Sequence, residues 1–85
     1  MFLDRGRYYL ELQRWQAAVD DFGCGLDLCD EYDRETFLFL RAEGLLQLGR
    51  RFEALSDLAN VPDDAKFWTY RFVRKVDLVA ECERP

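Results

Sequence analysis

Residues 5–22 read RGRYYLELQRWQAAVDDF and residues 41–58 read RAEGLLQLGRRFEALSDL, and laid over one another they decide the fold. At a shift of 36 residues Arg5-Gly6 falls on Arg41-Ala42, Leu10 on Leu46, Leu12 on Leu48, Ala18 on Ala54, Val19 on Leu55, Asp21 on Asp57 and Phe22 on Leu58. Self-similarity at such a period marks a repeat architecture, in which one supersecondary unit stacks on the next. An Arg and an Asp recur in register, Arg5 with Asp21 and Arg41 with Asp57. If the two helices of a unit pack antiparallel, each pair bridges first helix to second; left in solvent, such charges contribute little.

Working outward, apolar residues recur at helical spacing. Phe2, Leu3, Tyr9, Leu10 and Leu12 open one segment, and Trp15, Ala18, Val19, Phe22, Leu26 and Cys29 form the stripe of a second. The polar run Asp30-Glu31-Tyr32-Asp33 follows, with Asp33 read as the N-cap of a third helix on Phe37, Leu38, Leu40, Leu45, Leu46 and Leu48, stopped by Gly49. Phe52, Ala54, Leu55, Leu58 and Val61 make a fourth. After the turn at Pro62, Asp63 or Asp64 is expected to cap a fifth helix built on Phe67, Trp68, Phe72, Val73, Val76 and Val79. Short connections imply antiparallel neighbours, so the expectation is an all-α chain of five helices.

In the first repeat, Phe2, Gly6, Tyr9, Trp15, Ala18, Phe22, Gly25 and Leu26 carry a large–small–aromatic pattern, and Leu38, Ala42, Leu45, Gly49, Ala54 and Leu58 repeat much of it. This pattern resembles the tetratricopeptide repeat family. The resemblance covers roughly residues 2–62 and departs from the family in three places. The period exceeds the family's ~34 residues, Phe52 stands one position late, and Pro62 arrives early, so the second repeat's second helix is expected to be short. The resemblance implies one domain over 1–85, a short right-handed solenoid. Repeat one spans about 2–30, repeat two about 34–62, and a terminal or capping helix about 63–82.

The resemblance also implies a function, because arrays of this family bind peptides on a concave surface lined by the first helix of each repeat. Mapped onto this chain, the partner-binding residues are Leu3, Arg7, Leu10 and Glu11, then Phe39, Leu40, Glu43, Leu46 and Gln47, then Tyr70 and Val73. Asp4 and Val76 flank them. Leu3, Phe39, Leu40 and Glu43 stand where a two-carboxylate clamp would carry Lys, Arg and Asn, so a helix or apolar strand is the expected ligand. Alternatively, Phe39, Leu40 and Tyr70 pack against helix five or a flanking segment.

Composition bounds the rest. With 85 residues, 49% hydrophobic and 34% charged, the chain is one small folding domain. A net charge of −5 runs against nucleic acid, which draws on clustered Lys and Arg. There is no His, no glycine-rich phosphate loop and no nucleophile–base pair, so no enzyme activity, metal or cofactor is expected. Cys24, Cys29 and Cys82 are odd in number and lack metal spacing; they read as core or semi-buried thiols in a reducing compartment. No signal peptide or membrane run is visible, so the expected location is cytoplasmic. Two repeats are fewer than the ~3 such stacks need, so homo-oligomerisation, a partner over the ends, or membership of a longer protein is expected. The rival readings are a small acidic inhibitor or immunity-type protein, docking a basic partner through Asp20, Asp27, Asp30, Glu31 and Asp33, and an oligomerisation segment.

Overall fold

Residues equidistant from a turn touch only when the two arms run antiparallel, and both Arg–Asp pairs do so. In the computed structural model, which describes residues 2–84 and omits the side chain of Tyr32, Arg5 grips Asp21 with Nε and Nη2, both at 2.8 Å. Arg41 grips Asp57 in the same two-pronged way at 2.8 and 2.7 Å. The two struts join α1 (Phe2–Glu11) to α2 (Trp15–Leu28) and α3 (Glu31–Gln47) to α4 (Arg51–Leu58). Consecutive helices pack on each other, α1 on α2, α2 on α3 and α3 on α4, so the described residues are mainly helical. As expected from Pro62, α4 is short: 8 residues against 14 in α2.

The same turn closes both hairpins. Gly49 adopts φ 80°, its N–H bonds the Leu46 carbonyl, and the Arg50 N–H reaches back to Leu45, each at 2.9 Å. Thirty-six residues earlier, Gln13 adopts φ 60° while its N–H and that of Arg14 reach Leu10 and Tyr9. This is the Schellman arrangement, which satisfies the last helical carbonyls through one left-handed residue. Gly49 takes that conformation freely; Gln13 does so against its Cβ.

Small residues set the helix spacing. A Cβ on Gly6 would stand 2.5 Å from the Phe22 ring, and one on Gly25 would enter the ring of Phe37. Phe22 and Phe37 are buried and lie 6.3 Å apart, joining the first hairpin to α3. Leu10, Ala18, Phe22, Phe37 and Leu40 form one buried cluster. The other gathers Val19, Leu38, Phe39, Ala42, Leu45, Ala54 and Leu58 with Val61, Val73, Leu78 and Cys82.

Two expectations are corrected. The helix read over 63–82 is instead β1 (Lys66–Trp68), a tight turn, β2 (Phe72–Arg74) and then α5 (Lys75–Glu83). The strands are antiparallel, pairing Lys66 with Arg74, Phe67 with Val73 and Trp68 with Phe72. Apolar residues at 67, 68, 72 and 73 satisfy either period; their aromatic and β-branched character favours the strand, where such side chains pack well. Second, the cap of α3 is Asp30, whose carboxylate accepts the Asp33 N–H at 3.3 Å. Glu31 and Asp33 then occupy the first turn, where negative charge faces the positive end of the helix dipole.

Candidate interaction surface

A carboxylate with no exposed surface at all lies at the centre of the molecule. Glu43 of α3 is 0% exposed and is fed from three directions. The Thr69 hydroxyl donates to Oε1 at 3.1 Å, and Arg71 donates Nε to Oε1 at 2.9 Å and Nη2 to Oε2 at 3.1 Å. Gln47, one turn along, donates to Oε2 at 3.3 Å and also to the Tyr70 hydroxyl. Arg71 Nη2 reaches on to Glu81 of α5 at 2.8 Å. A buried charge is expensive unless paired and fully hydrogen-bonded, and here Oε1 and Oε2 both receive a guanidinium N–H. Those bonds in turn hold the Arg71 guanidinium more firmly protonated than usual. Burial, then the neighbouring Glu43, pushes the Tyr70 phenol up from its ordinary range.

The turn between the strands therefore plugs the inner face of α1 and α3. The Phe67 ring packs on Phe39 at 4.9 Å and the Tyr70 ring on Trp15 at 5.4 Å. Arg7 of α1 donates Nη2 to the Trp68 carbonyl at 2.6 Å. Of the residues read as partner-binding, Leu10, Phe39, Leu40, Glu43 and Val73 are buried. Leu3, Arg7, Leu46, Gln47 and Tyr70 are half-buried, and Glu11 is exposed. Arg7, Phe39, Glu43 and Gln47 meet residues 67–71 of the same chain, whereas Leu3 lines a separate recess beside Gly25, Leu28 and Phe37. The alternative of packing against a flanking segment describes Phe39, which meets Phe67, whereas Tyr70 packs on Trp15 of α2.

α3 has a second face. Arg41 and Leu45, one turn apart, look away from the hairpin into an open cleft between α2 and α4 of about 720 Å³. Asp20, Cys24, Asp27, Arg50, Glu53 and Asp57 line it. Its charges are largely satisfied within the chain: Arg41 by Asp57, Arg50 by Glu53 and Asp20 by Gln16. Cys24 is exposed, which corrects its reading as a core or semi-buried thiol. Cys82 is buried, and burial raises its thiol above the ordinary value.

The outward face of the hairpin is open, as are the isolated side chains of Leu28 and Phe52. Strand alternation turns Phe67 and Val73 inward and leaves Lys66, Trp68, Phe72 and Arg74 exposed. Trp68 and Phe72 are 57% and 59% exposed, with ring centroids 6.4 Å apart. Sequence reasoning missed this surface, although a signal was present. Residues 66–75 hold four cations and no carboxylate, of which the fold pairs Arg71 with Glu43 and Glu81, Arg74 with Asp77 and Lys75 with Asp63, leaving Lys66 without an ion pair among the described residues.

No family model, curated protein or solved structure matches this chain. Its chemistry is therefore read from its own residues. Among the described residues no group of His, Cys, Asp and Glu could hold a metal, and no helix is long and apolar enough to cross a membrane.

Proposed function

We propose that the chain is a non-enzymatic protein-interaction module of tetratricopeptide-like build, and that its contact surface is the exterior of the β-hairpin. The repeat reading has support from two devices that recur at 36 residues, the bidentate strut and the turn through a left-handed residue. The observation that carries the binding role is the Trp68–Phe72 pair. Both rings stand exposed on a strand pair whose other side is anchored in the core. Preorganised aromatic anchors of this kind dominate binding energy at protein interfaces.

The test is recovery of crosslinked partners by the full chain, compared with a W68A/F72A variant. Recovery should fall while far-ultraviolet circular dichroism is unchanged, because both side chains lie outside the core. Unchanged recovery would remove this reading. Phe39 is unsuitable for the same experiment, since a charge there would enter the core. A second reading, in which the exposed Asp20 and Asp27 beside the α2–α4 cleft dock a basic partner, has that cleft in its favour. Loss of the same crosslinks in D20K/D27K, with W68A/F72A inert, would select it.

A further inference from the structure

We propose that the outward face of the hairpin docks an acidic segment of a partner protein, with an apolar side chain of that segment on the Trp68–Phe72 pair and carboxylates on both sides of it. The proposal rests on the interaction-module reading and names the chemistry of the partner.

Three cations bracket the aromatic pair. Lys66 and Arg74 face each other across the strands, two residues along from Trp68 and Phe72, or about 7 Å at strand rise. Arg7, half-buried and bonded to the Trp68 carbonyl, brings a third. Arg74 is gripped by Asp77 through two bonds of 3.1 Å, so its charge is already matched, although Arg74 is more than half exposed. Arg7 and Lys66 have no carboxylate partner among the described residues. A bound carboxylate beside Lys66 would give that ammonium the partner it lacks, since Asp77 already answers Arg74 opposite. Potential complementarity thus selects an acidic ligand, and the rings select one with an apolar anchor.

Geometry narrows the ligand further. A carboxylate about 7 Å from the anchor corresponds to two residues along a strand, or to about one turn along a helix. Nucleic acid fits less well, because a phosphate chain outrunning these cations meets a chain whose net charge is −5. The mount is rigid: Phe67 and Val73 are packed beneath, and Thr69 and Arg71 are tied to Glu43. Little ordering is left to be lost on binding.

The experiment titrates the full chain into fluorescein-labelled twelve-residue peptides and reads anisotropy at low and high salt. One peptide is rich in Asp and Glu around a central Leu-Phe, and the other carries Lys in place of every acid. The acidic peptide should bind and weaken at least about tenfold in K66E/R74E and in W68A/F72A. R14E/R34E, which removes two exposed cations elsewhere, should leave binding unchanged. Equal binding of the two peptides, an unaffected K66E/R74E variant, or preference for a dT12 oligonucleotide, for phosphatidylserine vesicles or for a second copy of the chain would overturn the proposal. If partner crosslinks are lost in W68A/F72A but kept in K66E/R74E, the interaction-module reading stands and the acidic partner falls. If both variants keep them, both fail.

Discussion

Removing Arg71 isolates the most expensive interaction in the molecule. Glu43 has no access to water, so R71A leaves its carboxylate with only the Thr69 hydroxyl and the Gln47 amide. Breaking one side of a buried pair costs ~3–5 kcal/mol. Arg71 is itself 35% exposed, and water entering the vacated volume shields part of the charge, so the lower end, about 3 kcal/mol, applies. A domain of this length has ~4–13 kcal/mol in total. A loss of 3 kcal/mol lowers its Tm by roughly 12–24 °C. E43Q should cost less, about 1–2 kcal/mol, because Arg71 keeps Glu81 and the amide still accepts. The informative variant is E43M/R71M, which removes both charges at similar volume and should recover most of the R71A loss. Thermal and urea unfolding of the four proteins measure these differences. Two outcomes would refute the reasoning: R71A within 1 kcal/mol of the parent, or E43M/R71M as unstable as R71A.

Q13G should raise stability by about 0.5–1 kcal/mol in thermal unfolding, because glycine accepts the left-handed turn that Gln13 adopts under strain. G25A should lower it by about 1–3 kcal/mol in urea, since the new methyl enters the Phe37 ring, and F37L should restore part of the loss. Cys82 and Tyr70 have folded values above their ordinary 9.0 and 10.0, so the unfolded chain ionises first as pH rises. Stability from these groups is complete below about pH 9 and is lost above it, which a series of unfolding midpoints between pH 7 and 11 would register. A maleimide should label Cys24 at once and Cys82 at the rate of local opening, as peptide mapping over time would show.

The parts of the fold that were legible in the sequence are those specified by local pattern. The Arg–Asp struts could be foreseen because both charges recur in register and the intervening turn places them at equal distances. Gly49 announced its turn, whereas Gln13, in the same turn, gave no sign, since only the backbone requires the left-handed conformation there. Asp30 and Asp33 are both good caps, and α3 starts at the earlier one because its first turn can then carry two more acids. The segment 66–74 was misread for a different reason. Its apolar spacing fits a helix as well as a strand, and contacts distant in sequence accompany the strand: Thr69 and Arg71 on Glu43, and Phe67 on Phe39.

The same distant contacts explain why the face read as partner-binding is covered in this structure. The face of α1 and α3 was identified as receptive, and it does receive an extended segment rich in aromatic residues, but that segment belongs to the chain itself. Glu43 is the key to this outcome. On an open concave surface it would be a solvated acid of little consequence; once buried it demands a cation, and Arg71 supplies one from the hairpin turn. Meeting that demand anchors β1 and β2, and strand alternation then dictates what is left outside. Every inward residue, Phe67, Val73 and the Thr69–Arg71 turn, fixes an outward one beside it. Lys66, Trp68, Phe72 and Arg74 are therefore held in register by the residues that closed the groove. On this side the chain thus presents the exposed Trp68 and Phe72 with Lys66 and Arg74 beside them, and the groove lies beneath.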